Sequence, residues 1–157
     1  MNNNIMSRQL YSAIPQPITS QPTPEMKAKA EVYHGDEICK EKFTFLLTQI
    51  GLPDGLLSLD DIEEGGYVKE IGFVWLKHKK KKKKEHKFDN ILVWYDTIVT
   101  AYLEPNRIKH LTGVKAKEFL VWISLSEIYV NDISSTKLIT FKTPVGLSKS
   151  FPVTAFE

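Results

Sequence analysis

The chain has 157 residues, 42% of them apolar and 25% charged, which is enough to bury the core of one ordinary globular domain. Its net charge of +2 conceals an asymmetry: the segment from Lys77 to Lys87, KHKKKKKKEHK, holds eight lysines and one glutamate, leaving 13 basic against 18 acidic residues elsewhere. That separation excludes a chain that is basic throughout, as a general nucleic-acid coat would be, and points to one basic patch facing an anionic partner.

Residues 1–27 carry four of the eight prolines among Asn, Gln, Ser and Thr and read as a disordered tail, with 28–157 as a single domain. The opening MNNNIMSRQLYSAIPQPITSQ lacks the apolar core of a signal peptide, and no run is long enough to span a membrane. Neither end carries a lipidation signature. The lone Cys39 can close no disulfide within the chain and reads as a small buried apolar residue. A cytoplasmic protein is expected, with the nucleus or a peripheral membrane site as the other compartments open to it.

Ala28 to Tyr33 has the length of a short helix, broken at His34-Gly35. From Asp36, apolar Ile38, Cys39, Phe43, Leu46, Leu47 and Ile50 recur at three and four, which predicts an amphipathic helix stopped by Gly51 and Pro53. A turn at Leu52-Pro53-Asp54-Gly55 and an acidic connection follow. From Tyr67 onward the period is two. Tyr67, Ile71, Phe73 and Trp75 take one face of the first strand and Val68, Val74 and Leu76 the other. The return strand puts Ile91, Val93, Tyr95, Val99, Ala101 and Leu103 opposite Phe88, Leu92, Trp94, Ile98 and Tyr102. A short strand at Ile108 to Leu111, a long two-sided apolar one from Phe119 to Val130, and a final hairpin turning at Thr143-Pro144-Val145-Gly146 complete about six strands. The predicted class is α+β, mainly β: an N-terminal helix packed on a strongly curved antiparallel sheet, a half-barrel.

Several of these stretches together resemble a known family. Asp61-Ile62-Glu63-Glu64, Gly72-Phe73-Val74-Trp75-Leu76-Lys77, Leu111-Thr112-Gly113-Val114-Lys115-Ala116-Lys117-Glu118, Phe141-Lys142-Thr143-Pro144-Val145-Gly146-Leu147-Ser148 and the closing Phe151 to Glu157 are similar to the plant domain-of-unknown-function family 538. The resemblance covers roughly residues 30–157. It implies a land-plant source, a helix on a curved half-barrel, a weak likeness to bactericidal permeability-increasing type lipid-binding domains, and binding of lipids or other amphipathic molecules. Activities implied for the family include hydrolysis of chlorophyll-like esters, but no motif places a catalytic residue here. Six consecutive lysines and a polar N-terminus depart from what the family resemblance implies.

With strands on both sides, Lys77, Lys79, Lys80, Lys81, Lys82, Lys83, Lys84 and Lys87 are predicted to fill a hairpin finger that contacts anionic headgroups. The same segment also fits a solvated loop, a nuclear import signal or, less well, a nucleic-acid patch, since no aromatic interleaves with the lysines. Phe73, Trp75, Trp94, Tyr95 and Trp122 are the candidate pocket or interface residues, Trp75 and Trp94 at the base of the finger. The scattered histidines and single cysteine point to no metal, and no cofactor is expected. A triad can be written from Ser148 or Ser150, His86 or His110, and Asp89 or Asp96, but no elbow motif presents the serine. The leading expectation is a non-enzymatic module for a lipid-like or other amphipathic ligand. The alternatives are a small hydrolase of a hydrophobic pigment or lipid ester, which a buried serine beside a histidine would favour, and a regulatory protein-interaction domain.

Overall fold

A computed structural model describes residues 21–80, 84–89, 91–131 and 137–157. The protein is mainly β, built on one antiparallel sheet. Its elements are α1 (Pro24–Lys29), β1 (Glu31–His34), α2 (Asp36–Gln49), β2 (Ile62–Val68), β3 (Phe73–His78), β4 (Glu85–Phe88), β5 (Ile91–Glu104), β6 (Arg107–Glu118), β7 (Val121–Ser124), β8 (Glu127–Asn131), β9 (Leu138–Lys142), β10 (Ser148–Pro152) and a terminal 3-10 turn, Val153–Phe156. The order across the sheet is β1-β2-β3-β5-β6-β8-β9-β10, with β4 also on β5 and β7 also on β6. Among the described residues the sheet does not close, and β1 and β10 are its two ends.

Among the described residues ten strands stand where about six are expected, because long stretches are subdivided and a further strand forms at Glu31–His34. The segment Phe119 to Val130 is not one strand: Phe119 and Leu120 form a turn between the paired residues Glu118 and Val121, and β7 and β8 follow separately. Conversely, Ile108 to Leu111 does not end at Thr112-Gly113. It continues as the twelve-residue β6, with Gly113 at φ 83° where its neighbour β5 is irregular. At the other end, the first helix begins at Pro24, its N-terminus capped by Thr23, whose Oγ1 accepts from Met26 N at 3.1 Å. Residues 31–34 are a strand on β2, not helix.

Helix α2 forms where the 3.6 period predicts it, buries Cys39, Phe43 and Leu47, and ends at Gly51, which takes φ 86°. The helix lies close over β2 because that strand carries glycine beneath it. A Cβ on Gly65 would stand 2.5 Å from the Phe43 ring. The stretch Asp60 to Gly66, expected as an acidic connection, is instead strand β2 from Ile62 on, and the link that precedes it is part of the core. Leu52, Leu56, Leu57 and Leu59 are all buried in it, with Val74, Leu76, Val93, Tyr95, Ile128 and Phe141 of the sheet. Backbone groups of this connection are held by side chains from the strands: Tyr95 Oη donates to Leu56 O at 2.8 Å, and His78 Nε2 faces Ser58 O at 2.8 Å.

A second, smaller cluster occupies the opposite face: Val68, Phe73, Trp75 and Tyr102, covered by Met26 and Ala30 at α1. Here the predicted alternation is off by one. Val68, not Tyr67, shares a face with Phe73 and Trp75, because the connection between β2 and β3 spans four residues and Val68 pairs directly with Phe73. Gly72 N closes that turn on Val68 O at 2.9 Å.

The lysine-rich segment also sits differently from its expected place. Strand β3 pairs with the C-terminal half of β5, Phe73 opposite Tyr102 and Lys77 opposite Ile98, while β4 pairs with the N-terminal part, Glu85 opposite Trp94 and Phe88 opposite Ile91. Both are antiparallel to β5, so they follow one another in line along it. The segment is an insertion between two in-line strands, not the tip of a hairpin. The chain reverses between Phe88 and Ile91, where Asp89 adopts φ 44°, a left-handed value that Asp tolerates better than most residues. Backbone bonds pin both ends of the insertion: Lys79 N to Asp61 O at 2.8 Å, and Tyr95 N to Lys84 O at 2.9 Å.

Candidate functional site

The inner faces of β5, β6, β7, β9 and β10 enclose a groove of about 250 Å³. Its walls are apolar, formed by Ile91, Ile123, Leu125, Phe141, Leu147 and Phe151. Ile91, Ile123, Phe141 and Phe151 come from the inward parity of their strands, Leu125 from the link between β7 and β8 and Leu147 from the turn between β9 and β10, with the small side chain of Ala116 among them. Behind the groove, Phe141 lies 5.5 Å from Phe151 and 5.2 Å from Phe156, and Phe156 lies 5.0 Å from Phe88, ring centre to ring centre. The lip is polar. Thr143 and Ser148 line it, and Lys149 Nζ reaches Glu118 Oε2 at 3.4 Å from one wall to the other. An apolar slot with a charged pair and hydroxyls at its mouth suits a molecule with an apolar tail and a polar head.

On the outer face of the same strands, aromatic and basic side chains alternate across the register. Lys115 Nζ stands 5.0 Å from the Trp94 ring centre, Lys84 Nζ stands 5.3 Å from that ring, and Lys117 Nζ stands 5.7 Å from Trp122. Trp94 is paired directly with Lys115, and Lys117 with Trp122. Aromatics therefore do interleave with lysines, on β5 to β7, where the linear sequence separates them.

A third feature is buried and polar. Ser58 Oγ lies 3.3 Å from His86 Nε2, and the His86 ring meets Tyr95 edge-on at 5.2 Å. Tyr95 is fully enclosed, and burial pushes its phenol well above the usual tyrosine range. A serine hydroxyl beside an imidazole nitrogen is the contact from which a nucleophile can be activated. Ser58 itself is only 6% exposed.

The predicted site residues do not assemble into one site. Lys77 pairs with Glu63 at 3.6 Å, Lys79 with Asp36 at 3.5 Å, and Lys84 approaches Asp96 at 4.0 Å. Lys80 and Lys87 are exposed, and Lys81, Lys82 and Lys83 lie outside the described residues. Phe73 and Trp75 are core residues of the small cluster, with Trp75 Nε1 donating to Glu64 Oε2 at 2.9 Å. Tyr95 is buried, and Trp94 and Trp122 are half-buried on the outer face. None of the five aromatics is among the residues lining the groove. Of the triad candidates, Ser150 Oγ bonds Thr140 Oγ1 at 2.7 Å and His110 packs edge-on against Tyr102, while His86 finds Ser58, a serine the sequence did not single out. Among the described residues no group of three or more His, Cys, Asp or Glu could hold a metal ion, and no helix is long and apolar enough to cross a membrane.

The chain belongs to the family described as Protein of unknown function, DUF538, whose profile matches residues 43–157, from the middle of α2 to the last residue. No curated protein and no solved structure gives a significant match.

Proposed function

We propose that this DUF538 protein is a binding module that holds a lipid-like or other amphipathic ligand in the groove between the β6–β7 and β9–β10 hairpins, without chemically altering it. In this reading the sheet curls as a half-barrel around the ligand, and the apolar tail lies against Leu125, Phe141 and Phe151. The polar head meets Lys149, Glu118 and Ser148 at the lip. The carrying observation is the groove itself, apolar within and charged at its mouth. Its volume falls just below the roughly 300–1,000 Å³ of ordinary ligand sites, which favours a slim acyl chain over a broad pigment ring. The lysine segment adds salt-sensitive attraction to anionic headgroups.

The test is titration of the full chain with a fluorescent fatty acid, beside Ile123→Trp, which places an indole in the slot. Saturable binding that falls at least about tenfold in the variant, with an unchanged circular dichroism spectrum, supports the assignment. Equal binding by both proteins places the ligand elsewhere.

A second reading is favoured by one contact, that of Ser58 with His86. It is ester hydrolysis, in which Ser58 Oγ attacks the acyl carbon, His86 takes its proton and returns it to the departing alcohol as the ester C–O bond breaks, and water then releases the acid and restores the serine. The burial of Ser58 requires the 52–61 connection to move aside first. Turnover of an aryl ester that vanishes in Ser58→Ala while the ligand titration is unchanged would replace the binding reading with this one.

A further inference from the structure

The two-residue turn between β6 and β7 is chemically unlike a turn in water. Phe119 occupies its first position at φ 56°, a left-handed conformation for which glycine or asparagine is the low-energy choice. Phe119 and Leu120 are each 90% exposed, and Val121 is 60% exposed. Folding gains little from the Phe119 and Leu120 side chains, and the backbone bears a bulky residue where a small one is easier to place. Unfavourable local choices of this kind are retained where they serve function.

The residues just behind the tip are graded. Next in line come Trp122 with Lys117 against its ring, and the Glu118–Lys149 pair; two register steps further back stand Lys115 and Trp94. Leu147, 63% exposed on the turn between β9 and β10, adds a second apolar side chain and also lines the groove. An apolar tip, then tryptophan and lysine, then the body of the domain is the order of environments met along the normal of a bilayer, from acyl chains through headgroups to water. Among the described residues Glu118 is paired with Lys149, while Lys115 and Lys117 have no acidic partner, which matches anionic lipid.

We infer that the β6–β7 tip is a membrane anchor: Phe119, Leu120 and Val121 enter the acyl boundary of an anionic bilayer while Trp122 and Lys117 sit at headgroup level. The anchor sets the groove mouth against the membrane, so that the ligand is drawn from the lipid phase; this second part rests on the binding reading given above. A nucleic-acid partner fits less well, because the first residues it would meet are apolar and the Trp94 and Trp122 rings already carry lysine ammonium groups.

The test compares the full chain with the double variant Phe119→Asn/Leu120→Gly in sedimentation with vesicles of phosphatidylcholine, alone or mixed with phosphatidylserine. Asn tolerates the positive φ of position 119 and Gly is permissive at 120, so the variant should keep the fold and melt within about 5 °C of the parent. Partitioning onto the mixed vesicles is expected to fall at least about tenfold in the variant, and to be stronger for mixed than for neutral vesicles in the parent. Undiminished partitioning of the variant overturns the anchor, as does binding to a single-stranded oligonucleotide with no binding to either vesicle. Titration with a monomeric fluorescent fatty acid separates the two readings. If the double variant still binds it, the groove works without the anchor. If neither protein binds it while the vesicle difference remains, the anchor stands and the groove reading falls.

Discussion

Gly66 and Trp75 face each other as direct partners on β2 and β3, and the missing side chain of the first lets the indole of the second lie across the strand. A Cβ at position 66 would stand 2.1 Å from the ring. The indole cannot step aside, because its N–H is held by Glu64 at 2.9 Å and its other side packs in the cluster with Phe73. Gly66→Ala is therefore expected to lower stability by about 2–3 kcal/mol, the upper part of the overpacking range. Gly146→Ala is the control. That residue has φ 88° but open space around it, so only backbone strain of about 1 kcal/mol is expected. Urea denaturation of the three proteins checks the order.

A second prediction concerns the connection that crosses the core. Tyr95 Oη is the donor to the buried Leu56 carbonyl, so Tyr95→Phe leaves an acceptor without this bond and should cost about 1–3 kcal/mol. The phenol also makes stability depend on pH. Its pKa is raised in the fold by burial, while in the unfolded chain it ionises near the ordinary tyrosine value of about 10. Its contribution is thus complete below about pH 10 and declines as the pH rises beyond it, by at most about 1.4 kcal/mol per pH unit. Tyr102 is raised in the same way, and Tyr33 is pushed up to about 12, mainly by burial and then by its bond to Glu31, so some alkaline slope will remain in Tyr95→Phe. Chemical denaturation at several pH values between about 8 and 11 measures the difference. Parallel curves for the two proteins would show that this phenol does not remain neutral in the fold.

These two relationships mark what the sequence made legible. Helix α2 was readable because its apolar spacing, Gly51 and Pro53 all agree, and the final hairpin because Gly146 stands where a left-handed residue is needed. The alternation failed at residues 69–72, since period two names a face only as far as the next turn of unknown length. The lysine segment reads as a tip because charge usually gathers at tips. The Asp89-Asn90 pair is the better turn signal, and it stands two residues beyond Lys87. The groove was not legible at all. Periodicity turns Ile91, Leu125, Phe141 and Phe151 inward, but whether inward side chains meet or leave a space is decided by how separate strands come together. Ser58 and His86, 28 residues apart, carry no shared local pattern.

Cys39 gives a third prediction. Its thiol is buried under α2 and donates to Tyr33 O at 3.4 Å, and burial, the leading cause, pushes its pKa up. Reaction requires the thiolate and access to it, so a disulfide reagent at neutral pH must wait for β1 and α2 to separate. Modification of the native protein should be on the order of a hundredfold slower than in denaturant, and should accelerate in step with urea. Immediate reaction in buffer would mean that β1 and the helix part far more readily than their packing indicates.

The last prediction separates charge from structure in the lysine segment. Both its ends are fixed by backbone bonds, Lys79 N to Asp61 O and Tyr95 N to Lys84 O, which do not depend on which side chains they carry. The side-chain pairs Lys79–Asp36 and Lys84–Asp96 are at least a third exposed on each partner, and such pairs contribute about 0–1 kcal/mol. Replacing Lys80, Lys81, Lys82 and Lys83 by Ser should therefore leave the urea midpoint within about 0.5 kcal/mol of the parent, and relief of like-charge repulsion gives any change a stabilising sign. Attraction to anionic vesicles should weaken in the same variant, most visibly at low salt where screening is least. If stability instead fell by several kcal/mol, the lysines would have to be structural, and the separation of a basic insertion from an independently stable β scaffold would not hold.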